Sequence, residues 1–558
     1  MAHLRTNSVL CGMLLFISPC LLHAQAGNSS SQHTYDVRGT VVNSITHEPI
    51  ARALVTLAGE TSNSQLTDNE GHFEFTNVQA GRNMLEARRP GFFGVGRGRN
   101  SSMPISVGPT GNDYTLALEP ASTITGQIAL PTADPGSNIR VQLMRRVIQD
   151  GRASWQPFGM KTTNSEGTFR FGGLEPGDYK LFTSTSMDSD IAGQGAMTWG
   201  YPSVWYPEES DSSTAGFIRL GAGKQVNAQL ALTREPFYCV TIPVADRGPF
   251  GFVQFSNGRG RLNDIPLSYD SRQQQFRAYV PSGSYTVTIQ SAMPSPAFAS
   301  MPVTVRNAPI QLQGISLLPI HPIPVTIHKE FASTNSGAPQ MIQIENGKQV
   351  EVSRDINLML FSVTNHEAMG VMLRHEPGGD DSSWLMEGMQ PGRYWVQTYA
   401  NQGYVASITA GGTDLARDPL VIGQGGASAP IDIVLRNDMA NLSVRAKNLS
   451  SVPLNSSSGG PSVMHLPTEA PLGYLYLIPQ FDTPSVLPQS MPLQQTAFTV
   501  NLQPGTYRVL ALDHPVDLEY RNPKAMEAYA DKGQTVTLEP NGTANLEVDI
   551  IPAEAGTP

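Results

Sequence analysis

Cysteine is nearly absent from this sequence. Of three in 558 residues, Cys11 and Cys20 lie in an apolar N-terminal run and Cys239 stands alone. A lone cysteine forms no intramolecular disulfide and no cysteine metal cluster. In the strand-like Phe237-Tyr238-Cys239-Val240-Thr241 it reads as a small buried hydrophobe. Basic charge is also in deficit: 37 Lys and Arg face 47 Asp and Glu, a net charge of −10. Nucleic acid, which is held by basic phosphate contacts, is therefore not an expected partner. Long hydrophobic runs are missing after the first residues, so no transmembrane helix is expected there. Catalytic signatures are missing too: there is no His-x-x-Glu pair, no Gly-x-Ser-x-Gly elbow, no P-loop and no dinucleotide fingerprint. No enzyme activity and no cofactor are expected.

The one apolar run reads as a signal peptide over residues 1–26. Arg5 precedes Val9 to Leu22, and Ala24-Gln25-Ala26 supplies the small-x-small cleavage pattern. Ile17-Ser18-Pro19-Cys20 has the outline of a lipobox, but Pro19 spoils it. An exported protein follows, placed in the periplasm, on the outer cell surface or outside the cell. Residues 27–34 read as a disordered tether.

What the chain has in abundance is turn residues, 52 Gly and 43 Pro, and internal repetition. Thr67 to Gly81 and Thr163 to Gly177 align without a gap at an offset of 96 residues. Asp68 or Asn164 opens a turn that Gly71 or Gly167 closes. Phe73 and Phe75, like Phe169 and Phe171, lie two apart and face one side of a strand. The strand ends at Leu174-Glu175-Pro176-Gly177-Asp178-Tyr179, which recurs at Met389 to Tyr394 and Leu502 to Tyr507. Val280 to Tyr285 and Val78 to Asn83 are weaker copies. The Pro-Gly pair predicts a type II turn, and the tyrosine a corner with its hydroxyl tied to nearby backbone.

Each copy closes on an alternating strand, such as Tyr114 to Leu118 or Leu546 to Ile550. The resulting expectation is all-β: five tandem transthyretin-like or Ig-like β-sandwich domains at 35–119, 120–235, 236–320, 321–436 and 437–551, then a tail at 552–558. Units of about 85–115 residues can each bury a core. One short helix is expected over 523–532, with Asn522 as N-cap, Pro523 at the first position and Gly533 past the end. Asn455 to Gly460 reads as a flexible loop.

Val37-Arg38-Gly39-Thr40-Val41, the Glu48-Pro49 turn through Leu57, and Thr67 to Gly81 together resemble the carboxypeptidase regulatory-like domain, a transthyretin-like sandwich. The second unit keeps the later half of the motif but lacks the Glu-Pro turn. The remaining three keep only the corner and the strand pattern. The whole is similar to large exported repeat proteins of environmental bacteria. The resemblance implies an accessory domain within a wider carbohydrate-binding-like fold. That domain is named for a unit attached to zinc carboxypeptidases and also occurs at the front of outer-membrane receptors.

Metal chemistry has two weak candidates. His366-Glu367 with His375-Glu376 and Asp380-Asp381 would bind zinc if a hairpin brought them together; solvated hairpin ends account for them better. Asp68-Asn69-Glu70 offers too few oxygens for calcium. Gly94 to Arg99 reads as a basic loop, since no helix follows it. The aromatic residues are more distinctive. Trp155, Trp199, Tyr201, Trp205 and Tyr206 crowd into the second unit, most of them in a Gly/Pro-rich insertion over 198–207. Such rings stack on sugars or on proteins, or else they cover the sandwich end and seal it to the third unit. The expectation is a non-enzymatic binding or scaffolding protein with glycan or polysaccharide as leading ligand. The alternative is a structural spacer or adhesin that touches envelope proteins; more remote is an accessory part of a peptidase or uptake system.

Overall fold

The computed structural model describes residues 33–552 apart from 60–61, 95–100, 132–134, 189–194, 208–214, 246–249, 258–259, 263–264, 292–295, 332–340, 346–347, 365–367, 427, 448–472, 486–489, 494–497 and 514. The signal peptide, the Asn455–Gly460 loop, His366, Glu367 and most of the Gly94–Arg99 loop lie outside the described residues.

Strands dominate what is described, and the buried side chains gather into five main clusters. These run from Val37 to Leu118, Ile124 to Leu232, Tyr238 to Ile315, Ile323 to Leu435 and Ala440 to Val548. Each cluster with its strands forms one unit, and all five share a topology that the sequence did not announce. The opening strand of a unit pairs in parallel with its closing strand. The pairs are Arg38 with Asp113, Thr123 with Gln225, Val240 with Ile310, Val325 with Ile431 and Asn441 with Thr543. On its other side the opening strand pairs antiparallel with the strand that leads into the corner. A second sheet, centred on the strand after the corner, packs across the core.

The repeated turn forms as its sequence dictates. The Asp68 carboxylate accepts from the backbone N–H of Glu70 at 3.0 Å and of His72 at 2.7 Å, and Gly71 N–H closes onto Asp68 O at 3.2 Å. Asn164 repeats this with Glu166 and Thr168 at 3.1 and 2.9 Å. Gly71 and Gly167 take φ of +76° and +72°, which glycine adopts without strain. The paired phenylalanines are buried, with ring centroids 6.0 Å apart in both copies.

The corner holds, but differently from a type II turn. Glu175 and Pro176 make a simple bend, and Gly177 already starts the next strand at φ +153°. Glycine is needed at the later corners because a ring lies over it: a Cβ on Gly283 would meet the Tyr285 ring within 3.0 Å, and one on Gly505 the Phe481 ring at 2.4 Å. The tyrosine hydroxyl donates to the carbonyl four residues back in four units: Tyr179 to Glu175, Tyr285 to Pro281, Tyr394 to Gln390 and Tyr507 to Gln503, at 2.8–3.0 Å. Burial pushes the Tyr179 phenol up to about 12.

The expected helix over 523–532 is not formed. Turns lead into a single 3-10 turn at Glu527–Tyr529. The Asn522 side chain donates to Glu519 at 2.7 Å instead of capping. The Arg508 guanidinium meets the Lys532 carbonyl at 2.8 Å and those of Tyr529 and Ala530, end carbonyls that a helix over 523–532 would itself leave without a ladder partner. Tyr529 and Met526 pack on the fifth unit beside Tyr476 and Leu510.

Candidate functional site

The second unit joins its neighbours in two ways. Its insertion leaves the sandwich and enters the sheet of the third unit: strand Met197–Tyr201 pairs with Glu235–Pro243, Met197 opposite Tyr238 and Trp199 opposite Pro236. The Tyr279 hydroxyl donates to Gly195 O at 2.8 Å, and Cys239 N–H to Ala196 O at 3.0 Å. Cys239 itself is buried beside Phe237 and Tyr279, as a small hydrophobe should be.

The other joint is the tip of the hairpin between Arg140–Gln149 and Arg152–Thr162. Asp150 and Gly151 have φ of +49° and +68°, the backbone of a two-residue primed turn. This tip is pressed onto the fifth unit. Tyr520 donates its hydroxyl to the Asp150 carboxylate at 2.5 Å, Arg521 Nη2 lies 3.0 Å from the other carboxylate oxygen, and Arg521 Nε donates to Asp150 O at 3.0 Å. The Tyr520 ring covers Gly151 so closely that a Cβ there would meet it at 2.8 Å. Arg146 pairs with the buried Glu519. Towards the fourth unit, the Arg152 guanidinium stacks on Trp395 at 4.0 Å. The fourth and fifth units meet where Thr398 N–H donates to Pro484 O at 2.9 Å. Burial holds the Asp150 carboxyl above the ordinary range, and Arg521 and Tyr520 offset only part of that.

The five aromatic candidates do not converge. Tyr201 is part of the second unit's core, and Tyr206 packs against it. Trp205 lies flat on Phe182, centroids 4.1 Å apart, where the chain at 204–206 runs beside the strand Gly177–Thr183. Trp199, on the shared strand, remains exposed but carries Arg234 over one ring face at 4.6 Å, and Arg234 pairs with Asp188. Trp155 lies over the buried Lys180 at 4.9 Å and beside the exposed Phe217 at 6.5 Å. Lys180 and Phe182 alternate with the core residues Tyr179 and Leu181, so Trp155 and Trp205 share the outer side of one sheet. The insertion therefore does what a joint does; of its rings Trp199 stays 38% exposed and Trp205 half-buried, and Trp155, on the hairpin strand Arg152–Thr162, is half-buried too.

The described members of the zinc candidate are held in local contacts. His375 Nε2 lies 3.0 Å from Asp380 O, and the Asp380 carboxylate accepts from the Ser382 and Ser383 hydroxyls at 2.6 and 2.9 Å, which hold it below the usual range. Among the described residues no three His, Cys, Asp or Glu side chains gather where an ion would sit. No helix among them is long and apolar enough to cross a membrane.

The opposite sheet of the second unit carries a surface that sequence reading missed. A shallow depression of about 500 Å³ is lined by Thr125, Gln127, Thr168, Arg170, Asn227 and Gln229. They form two rows across three strands: Arg170, Thr125 and Asn227, then Thr168, Gln127 and Gln229. Alternation in Ile124-Thr125-Gly126-Gln127-Ile128 was the available signal. It copies Val37-Arg38-Gly39-Thr40-Val41 with the charge removed.

This architecture defines a repeat protein of small β-sandwiches with a shared opening, corner and closing strand. Residues 36–117, within the first unit, match the family model described as carboxypeptidase regulatory-like domain. No curated protein matches the chain. Solved structures with some likeness include the TIE protein of Bacillus anthracis, 13% identical with a TM-score of 0.17. That match covers 51% of this chain and 50% of that one, so the chain spans about half the length of that protein. Another is the minor pilin GBS52 of Streptococcus agalactiae, 13% identical over 36% of this chain and 96% of that one, TM-score 0.20. A third is the shaft pilin SpaA of Lactobacillus rhamnosus GG, 8% identical over 36% and 98%, TM-score 0.20.

Proposed function

We propose that the chain is an exported, non-enzymatic binding scaffold of the cell envelope, divided into the five sandwich domains set out above, with polysaccharide as its ligand. The observation that carries this reading is the way the second unit is built in. Its insertion completes the third unit's sheet and its hairpin tip is clamped between the fourth and fifth units. Folded-back units of this kind hold binding surfaces in fixed relation, whereas a linear spacer needs only end-to-end contacts. Trp155 and Trp205 are the rings proposed to meet a sugar, since an aromatic face on an open sheet suits stacking.

Retention of the full chain on immobilised polysaccharides, repeated with Trp205→Ala, tests the reading. Retention that Trp205→Ala leaves unchanged removes that ring; no retention on any polysaccharide removes the glycan ligand. The structural alternative, a scaffold for envelope proteins, draws on the same interlock. It predicts a compact particle in solution scattering together with no glycan retention. A zinc-dependent peptidase activity abolished by His375→Ala would overturn the non-enzymatic reading.

A further inference from the structure

We propose that the amide- and hydroxyl-rich face of the strands Thr168–Leu174, Ser122–Ala129 and Gln225–Ala231, with Arg170 as its charged member, is a platform for a neutral polysaccharide strand. This rests on the glycan reading above and adds a location and a ligand class to it.

Sandwich faces open to water are ordinarily studded with charges, and the first unit shows the same positions treated in that way. Where it has Arg38 between Glu74 and Asp113, the second unit has Thr125 between Arg170 and Asn227. Where it has Thr40 between His72 and Thr115, the second has Gln127 between Thr168 and Gln229. The first unit's charges neutralise one another, with Arg38 and Glu74 2.6 Å apart. The second unit's side chains are only partly used. Gln127 Nε2 donates to Glu166 O at 3.0 Å and Gln229 Nε2 to Asn227 Oδ1 at 3.1 Å. Among the described residues the carbonyl oxygens of both glutamines and the Asn227 amide nitrogen are left to the solvent.

The chemistry of the face selects its occupant. Amides and hydroxyls both donate and accept, as sugar hydroxyls do, while Lys or Glu does only one. A polyanion needs several cations, and among the described residues Arg170 is the only one lining the depression. A protein partner is anchored by aromatic and apolar side chains in desolvated pockets, and here the lone ring, Phe169, is buried beneath Gly126. The depression also has the volume of a small-molecule site, about 300–1,000 Å³. Its two parallel rows suit a ligand laid along them.

The test is affinity electrophoresis of the full chain in gels holding amylose, xylan, mannan or polygalacturonate. The variants are Gln127→Ala/Asn227→Ala/Gln229→Ala, the isosteric Asn227→Asp/Gln229→Glu, and Trp155→Ala/Trp205→Ala. All three platform residues are exposed, so an unchanged thermal unfolding curve is expected for the first two variants. The expected result is retardation by at least one neutral polysaccharide, weakened about tenfold or more in both platform variants. Platform variants that bind like the parent overturn the inference, and loss confined to the tryptophan variant then leaves the glycan reading standing. Retardation by polygalacturonate alone overturns the neutral ligand. A parent chain that none of the four retards overturns both.

Discussion

The first and second units agree down to single hydrogen bonds and differ in how they face the rest of the molecule. Thr67 Oγ1 donates to Ile50 O at 2.7 Å while accepting from Ala53 N–H; Thr163 Oγ1 donates to Gly136 O at 2.6 Å while accepting from Ile139 N–H. With the core so alike, differences between the units lie outside it. The first keeps a charged outer face, with Arg38, Glu74, His72 and Asp113 exposed. It meets the second unit at its end, where Gly223 N–H donates to Pro120 O at 2.8 Å. The second has lost those charges and gained a long hairpin and a strand-bearing insertion, each of which enters another unit. One module has thus been used as a plain bead and as a keystone, by changing only what lies outside the core.

The widest separation between the two roles comes from their ion pairs. Arg521→Ala leaves the Asp150 carboxylate buried without its cation, and removing one member of a buried pair costs about 3–5 kcal/mol. We expect a new, earlier step in thermal unfolding and faster proteolysis near 482–522. Arg38→Ala, which breaks an exposed pair in the first unit, should leave both measurements unchanged. If the two variants behave alike, the keystone role fails. Acidity sharpens this contrast. The folded Asp150 carboxyl sits above its ordinary value, so its contribution to the joint is fully present below about pH 3.9 and is lost as pH rises through the raised value. Asp150→Asn should remove that slope from melting curves taken between pH 4 and 7, and a slope that persists would show another group to be responsible.

The shared core predicts equal sensitivity instead. Gly39 and Gly126 lie where the opening strand meets the closing strand. A Cβ at either would fall within 2.0 or 2.1 Å of a closing-strand carbonyl, Tyr114 O or Ala228 O, and within 2.6 or 2.3 Å of a phenylalanine ring, Phe73 or Phe169. Overpacking of this kind costs about 1–3 kcal/mol. Gly39→Ala and Gly126→Ala should lower the unfolding temperature of their own units by similar amounts. A silent Gly126→Ala would mean that the second unit's core is less bound to the repeat than its hydrogen bonds indicate.

Local chemistry was legible in the sequence, and long-range partnership was not. The Asp68 and Asn164 turns, the phenylalanine pairs and the tyrosine corners each depend on residues within a short window, and all were readable. The parallel pairing of opening and closing strands joins residues about a whole unit apart and leaves no short-range mark. The Asp150-Gly151 pair is a strong hairpin signal, but its docking depends on Tyr520 and Arg521, some 370 residues later. The helix expected over 523–532 had a good cap residue by its local sequence, but the Asn522 side chain bonds Glu519, which lies before the expected helix, instead of capping it. For the aromatic cluster, composition gave the right chemistry but not the burial: Tyr201 and Trp199 look equivalent as sequence, and the fold sends one into the core and leaves the other exposed beside Arg234. The polar platform leaves no mark of its own in the sequence, because polar alternation looks the same whether a face is merely wet or made to bind.

The smallest effect separates the units by one side chain. Four corners carry a tyrosine whose hydroxyl reaches back four residues, while the first unit has Asn83, which bonds Gly81 O at 3.2 Å from an exposed position. Tyr179→Phe and Tyr507→Phe keep the ring and remove only the hydrogen bond, leaving a partly buried carbonyl unpaired. Each should cost about 0.5–1.5 kcal/mol, read as a small drop in the unfolding temperature with no change in scattering profile. Asn83→Ala should cost less than either, because water replaces its bond. A larger loss from Asn83→Ala than from Tyr179→Phe would mean that the first unit closes its corner by a route of its own, and the shared corner would then hold for four units only.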